Sequence, residues 1–172
     1  VLIACGAVNR AKKEFSKSGK LLILYFHNPG EKYFSKTVRW LKKNRFTIIY
    51  AEDVIEYYKH GEPLPENPVW LTFDDGWKGN YDHVFPVLKR EKIQATIFAV
   101  TESIETTGVF WWTFAEKYIN LLPDKYKNDN NQLWKVPDTE KKKAIDELFE
   151  KVKNKLSREA ITVDELKEMS QS

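Results

Sequence analysis

Apolar and polar positions fall into a regular rhythm over the first hundred residues. "LLILYFH" (21–27) is an unbroken apolar and aromatic run, the pattern of a strand buried on both faces. In "KYFSKTVRWLKKN" the residues Phe34, Val38 and Leu41 recur at helical spacing. "FTIIY" (46–50) predicts a second strand, and "AEDVIEYYKHG" a short helix that Gly61 stops. A proline-rich loop, "EPLPENP" (62–68), leads into a third strand, "VWLTF" (69–73), and "ATIFAV" (95–100) predicts a fourth. Between them Tyr81, Val84, Phe85 and Leu88 form an apolar helical stripe, with Pro86 early enough to remove an amide that needs no partner. Strand and helix alternate four times. That order predicts a parallel sheet covered by helices, open or closed into a barrel.

The rhythm changes after Val100. "TESIETTGVFWWTFAEKYINLL" carries an aromatic cluster, and "PDKYKNDNNQLWKVP" reads as a polar loop. A long helix is expected over roughly 139–156, with Ile145, Leu148, Phe149, Val152 and Leu156 on one face. "TVDELKEMS" (162–170) opens on a capping box, Thr162 and Glu165, and predicts another helix. The organisation expected is an N-terminal stub or leader remnant over 1–20 and one domain over 21–172, with a helical insert at about 101–160.

Composition narrows the class. With 172 residues, 42% hydrophobic and 14% aromatic, the chain can bury a real core, so disorder of the whole is not expected. A net charge of +3, spread out, argues for neither nucleic acid nor a membrane surface as partner. The lysines of "EKKKAIDELFEKVKNK" are interleaved with acids and read as a solvated helix face. A single cysteine excludes an internal disulfide and a cysteine-based zinc cluster. The opening "VLIACGAVNR" has the look of a lipoprotein cleavage box with Cys5 as the lipidated residue; a short apolar helix or the stump of an anchor is the plainer alternative. No apolar run is long enough to span a bilayer, so membrane association is expected only through an upstream anchor or a lipidated Cys5.

The candidate chemistry lies in "LTFDDGWKGNY" (71–81), where Asp74 and Asp75 stand side by side as a strand ends. Asp and Gly are turn residues, so a turn alone accounts for part of this. The chemical reading is that ligands of parallel α/β folds sit beyond the carboxyl ends of the strands, where Asp74, Asp75 and His27 all fall. Two carboxylates and an imidazole on one rim suit a metal or hydrolytic site. Three histidines are present. His60, beside Gly61, reads as a partner of a helix C-terminus, and His83 as a surface residue. Trp111 and Trp112 fit core packing under the insert, or stacking on a sugar.

The stretch "LTFDDGWKGNYDHVFPVLKREKIQATIFAV" resembles the first motif region of polysaccharide deacetylases of the NodB-homology type, carbohydrate esterase family 4. Thr72 to Gly76 match the Thr-Phe-Asp-Asp-Gly core, and the flanks Trp77, Tyr81, Pro86, Leu88–Lys89, Ala95–Thr96 and Phe98 follow in register. "LYFHNPG" resembles the strand that opens many members, and "ITVDELKEMSQS" the helix before the next motif. The resemblance implies an incomplete (β/α) barrel and a metal-dependent hydrolase acting on an N-acetylated glycan. It implies Asp74 as general base and Asp75 as ligand of a divalent metal, usually zinc; His27, Trp77, Trp111 and Trp112 stand beside these as candidates for substrate contact or for the margin of the site. It also implies a cell-envelope or secreted location.

The family's His-x-x-x-His metal motif is absent, since His27, His60 and His83 do not pair at that spacing. This predicts a chain lacking roughly the last third of a domain, inactive alone, with an open sheet edge that invites association. Two rivals remain at this point: a non-catalytic carbohydrate-binding pseudoenzyme, and a metal phosphohydrolase using Asp74 and Asp75.

Overall fold

The computed structural model describes residues 7–152 and 157–171. Cys5 and Leu156 lie outside the described residues. The chain divides into two compact units, Val1–Val100 with Asp164–Ser172, and Thr101–Val163. Among the described residues no helix is long and apolar enough to cross a membrane.

The first unit begins with α1 (Ala7–Ser16) and then alternates: β1 (Leu22–Phe26), α2 (Glu31–Lys43), β2 (Thr47–Ile49), α3 (Ala51–His60), β3 (Pro68–Asp75), a π-helical turn (Asn80–Val84) running into α4 (Phe85–Glu91), and β4 (Thr96–Ala99). Gly61 ends α3 with a left-handed φ of 73°, where a side chain would be strained. All strand pairs are parallel. β3 is central: β1 lies along one side of it, from Leu22↔Val69 to Phe26↔Phe73. β2 and β4 share the other side, β2 along the start of β3 (Thr47↔Pro68) and β4 along its end (Asp75↔Ala99). The sheet of the described residues is open, with four strands.

One face of this sheet is packed by helices. Phe34, Val38 and Leu41, the stripe read from the sequence, meet Val69, Leu71 and Phe73 of β3 and Val84, Val87 and Leu88 beyond it. Phe26, Phe34 and Phe73 interlock there: Phe73 stacks on Phe26 at 5.3 Å and meets Phe34 edge-on at 5.3 Å. The opposite face corrects the expectation of strands buried on both sides. Only β3 comes near it. In β1 burial alternates, leaving Ile23 and Tyr25 about half and two-thirds exposed (50% and 69%), and Phe98 of β4 is 54% exposed. An unbroken apolar run does not reveal whether a second layer covers it; that depends on which elements pack there. These exposed side chains and the open edges lead to an expected result: the purified chain self-associates as its concentration rises, and Tyr25→Lys with Phe98→Lys suppresses this. Light scattering that shows a monomer at all concentrations without those substitutions would contradict it.

The second unit is helical: α5 (Thr101–Glu105), α6 (Trp111–Lys117), a 3-10 turn (Ile119–Leu121), α7 (Asp124–Lys127), a second 3-10 turn (Asn130–Trp134) and α8 (Asp138–Val152). Ile145, Leu148 and Val152 are buried as the stripe predicts, and Phe149 stacks on Phe114 at 4.3 Å. The segment read as a polar loop folds instead as α7 and the second 3-10 turn. Two of its apolar residues, Tyr126 and Leu133, are buried in the core of this unit and draw the intervening polar residues into short helical turns. Arg158 ties the returning chain down, donating to the Ile104 and Ile161 carbonyls at 2.6 and 3.0 Å. The helix expected from "TVDELKEMS" is α9 (Val163–Ser170).

Candidate functional site

The alternation of β3 sorts its side chains. Val69, Leu71 and Phe73 enter the helix-packed core, so Trp70, Thr72 and Asp74 fall on the other face. On that face the Trp70 indole N–H donates to Thr96 Oγ1 of β4 at 2.9 Å. Asp74 is half-buried at the carboxyl end of the strand, and its carboxylate takes no hydrogen-bond or ion-pair partner among the described residues. Only its backbone is used, the carbonyl accepting from the Gly76 N–H at 2.9 Å.

Asp75 is used differently. Its φ of 72° lies in the left-handed region, which Asp tolerates better than most residues, and Gly76 follows at 78°. Its carbonyl accepts from the Val100 N–H at 3.0 Å, and its Oδ2 accepts from the Trp77 indole N–H at 3.0 Å. The plain turn reading therefore describes Asp75–Gly76. It does not describe Asp74.

His27 follows Phe26, whose register partner is Phe73, so it stands beside Asp74 and by alternation shares its face. Its ring is exposed and meets Tyr25 edge-on at 6.2 Å. Two residues that the sequence reading passed over hold this loop. Asn80, fully buried, donates from Nδ2 to the His27 carbonyl at 2.8 Å, while its Oδ1 has no partner among the described residues. Gly79 lies so close to Asn28 that a Cβ there would fall 1.9 Å from Asn28 Oδ1. Together they dock the end of β1 onto the segment after Asp75. The Gly79–Asn80 pair, four residues after Asp75, was the available signal, but turn chemistry explains such a pair equally well.

Beyond the π-helical turn the site is braced by α9. Lys78 bonds Asp82 and reaches Glu165 at 2.9 Å, and Tyr81 donates to Glu168 at 2.6 Å. Burial pulls the Lys78 ammonium down, but the hydrogen bonds to Asp82 and Glu165 outweigh it and hold the group above the ordinary lysine value. The bond to Glu168, followed by burial, raises the Tyr81 phenol. His60 stands at the end of α3 with Nε2 3.8 Å from Glu56, and His83 is exposed on the π-helical turn. Trp111 and Trp112 belong to the helical unit. A groove of about 900 Å³ is lined by Glu52, Leu88, Gln94, Ile97, Leu166 and Met169 among others, at the amino end of β4, and contains neither Asp74 nor Asp75. Among the described residues no three His, Cys, Asp or Glu side chains converge on a point that could hold a metal.

A parallel α/β sheet with an unpartnered carboxylate at the carboxyl end of its central strand places that group where ligands of such folds bind. The chain belongs to the polysaccharide deacetylase family, whose model matches residues 61–148, just over half of it. It is 36% identical over 75 residues to the poly-beta-1,6-N-acetyl-D-glucosamine N-deacetylase of Staphylococcus epidermidis, covering 44% of this chain and 26% of that protein. The enzyme of the same description from Staphylococcus aureus is 31% identical over 75 residues, with the same coverage. The chain thus spans about a quarter of the length of each of these relatives. A solved de-N-acetylase from Aggregatibacter actinomycetemcomitans shares the fold at a TM-score of 0.53 and 19% identity, over 88% of this chain and 50% of that one.

Proposed function

We propose that this chain serves the hydrolytic removal of N-acetyl groups from a polysaccharide of N-acetylated amino sugars, within the framework of a (β/α) barrel of the deacetylase type. The observation that carries the reading is the Asp74 carboxylate, half-buried at the sheet edge and free of any structural partner among the described residues. A carboxylate whose lone pairs are unspent can accept a proton from water; one saturated by hydrogen bonds cannot do so readily. Asp74 takes the proton of a water as its oxygen attacks the amide carbonyl carbon. The carbon–nitrogen bond then breaks, and the proton passes from Asp74 to the departing sugar amine, giving acetate. His27, on the same face of the neighbouring strand, is a candidate to hold the substrate or steady this water. Trp77 holds the Asp75 side chain in place through its indole N–H.

The resemblance assigns Asp75 to a divalent cation, usually zinc. The described residues do not fit a complete zinc site, which takes at least three protein ligands. The substrate class follows the relatives named for poly-beta-1,6-N-acetyl-D-glucosamine, and a cell-envelope or secreted location follows from such a substrate.

Acetate release from β-1,6-linked N-acetylglucosamine oligomers by the full-length protein tests the reading. Release of phosphate from phosphate esters in its place would support the phosphohydrolase, and glycan binding without turnover the pseudoenzyme. The 172-residue chain by itself is expected to release no acetate, since too few ligands converge among its described residues to hold a zinc ion tightly. Metal-dependent turnover by that chain would overturn the expectation.

A further inference from the structure

The helical unit Thr101–Val163 displays tryptophans beyond what its core needs. Leu133 and Trp134 end the second 3-10 turn with opposite fates: Leu133 is fully buried and Trp134 is 60% exposed. The buried leucine anchors the turn, and the anchored turn holds the indole out. The Trp134 ring rests on two others, 4.3 Å from Trp111 and 6.0 Å from Trp112, and those two meet edge-on at 5.9 Å. Phe110 stacks against Trp112 at 4.9 Å, and the Lys141 ammonium lies 5.0 Å from the centre of the Trp111 ring. The lower rings are thus fixed by their neighbours, which spares a ligand the entropy of ordering them.

We propose that Trp111, Trp112 and Trp134 form a platform that binds neutral N-acetylated sugar units of a polysaccharide, with Trp134 stacking on a pyranose face. The choice of an N-acetylated glycan rests on the function proposed above; the platform itself rests on the indole geometry. Three features select a sugar. A pyranose is apolar on its C–H faces and polar around its rim, and an indole offers the matching apolar face with an N–H at its edge. The platform is small: an aromatic side chain buries about 150–250 Å² in full, and two of these three are already half-buried, so it falls well short of the roughly 800 Å² per partner of a stable protein interface. The cation at its side is neutralised, Lys141 pairing with Asp138 at 2.6 Å, which favours an uncharged acetylated unit over an acidic polymer.

The test is a titration of the 172-residue chain with a β-1,6-linked N-acetylglucosamine pentamer, followed by tryptophan fluorescence and calorimetry. Saturable binding is expected, weakened at least tenfold by Trp134→Ala, largely restored by Trp134→Phe, and unchanged by Trp40→Ala, which removes a tryptophan exposed on α2. Equal binding by Trp134→Ala overturns the platform, as does failure of the unaltered chain to bind at millimolar pentamer. Binding to phosphatidylcholine vesicles with no binding to the pentamer overturns it in favour of a lipid surface. Acetate release by the full-length protein from a pentamer that the chain does not bind would sink the platform and leave the function standing. Binding that depends on Trp134, with no acetate release, would do the reverse.

Discussion

Asp74→Asn in the full-length protein is expected to lower acetate release by about 10²–10⁴-fold, the usual contribution of a positioned general base. The structure makes this a clean experiment. The Asp74 carboxylate holds no hydrogen bond or ion pair among the described residues, so an isosteric amide breaks nothing in the fold. Circular dichroism and the denaturation midpoint should be unchanged. Asp75→Asn is the instructive partner. Asn tolerates the left-handed backbone at φ 72° as Asp does, and its side-chain oxygen can still accept from the Trp77 indole, so the turn should survive. If the roles divide as the resemblance implies, Asp75→Asn loses bound metal together with activity, whereas Asp74→Asn loses activity and keeps the metal. Elemental analysis of both variants decides it; equal metal loss from the two would refute the division of labour. A drop of less than tenfold in Asp74→Asn would remove Asp74 from the reaction.

Phe73→Ala is expected to cost about 3–5 kcal/mol of stability, the range for truncating a fully buried aromatic residue. Phe73 has no exposed surface and contacts both Phe26 and Phe34, so its loss opens a cavity where α2 meets the sheet. Phe98 provides the control. It lies on a strand paired with β3 but on the open face, 54% exposed, and Phe98→Ala should change stability by no more than about 0.5 kcal/mol. Urea denaturation followed by far-ultraviolet circular dichroism measures both. Similar costs for the two would mean that both faces of the sheet are packed, contrary to the structure. The pair of predictions joins structure to function through one strand. The alternation that buries Phe73 also turns Asp74 away from the core, so a fully buried aromatic residue and the proposed base are neighbours in sequence and opposed in space.

Much of this was legible in the residues. The four strands, the α2 stripe of Phe34, Val38 and Leu41, the stop at Gly61 and the α8 stripe of Ile145, Leu148 and Val152 follow from local periodicity, because a helix or strand is set by spacing over a few residues. So does the position of Asp74 and Asp75 at the end of β3, since strand and turn signals adjoin there. The short helices at Asp124–Lys127 and Asn130–Trp134 were not legible. Their composition is that of a loop, and what orders them is the burial of Tyr126 and Leu133 against residues far away in sequence.

The sequence by itself determined the order of the elements and the place of the two acids at the end of β3. Tertiary structure decided the rest. That β3 is central, although it is the third strand in order, depends on pairings across tens of residues that no local pattern encodes. That His27 shares a face with Asp74 depends on the register of β1 against β3, and the Asn80 bond to the His27 carbonyl that pins this loop spans 53 positions. The left-handed backbone at Asp75 and the unspent carboxylate of Asp74 likewise depend on what surrounds them. Periodicity is a property of neighbours along the chain. Pairing, burial and the freedom of a side chain are properties of neighbours in space, and these separate a turn of two acids from a site.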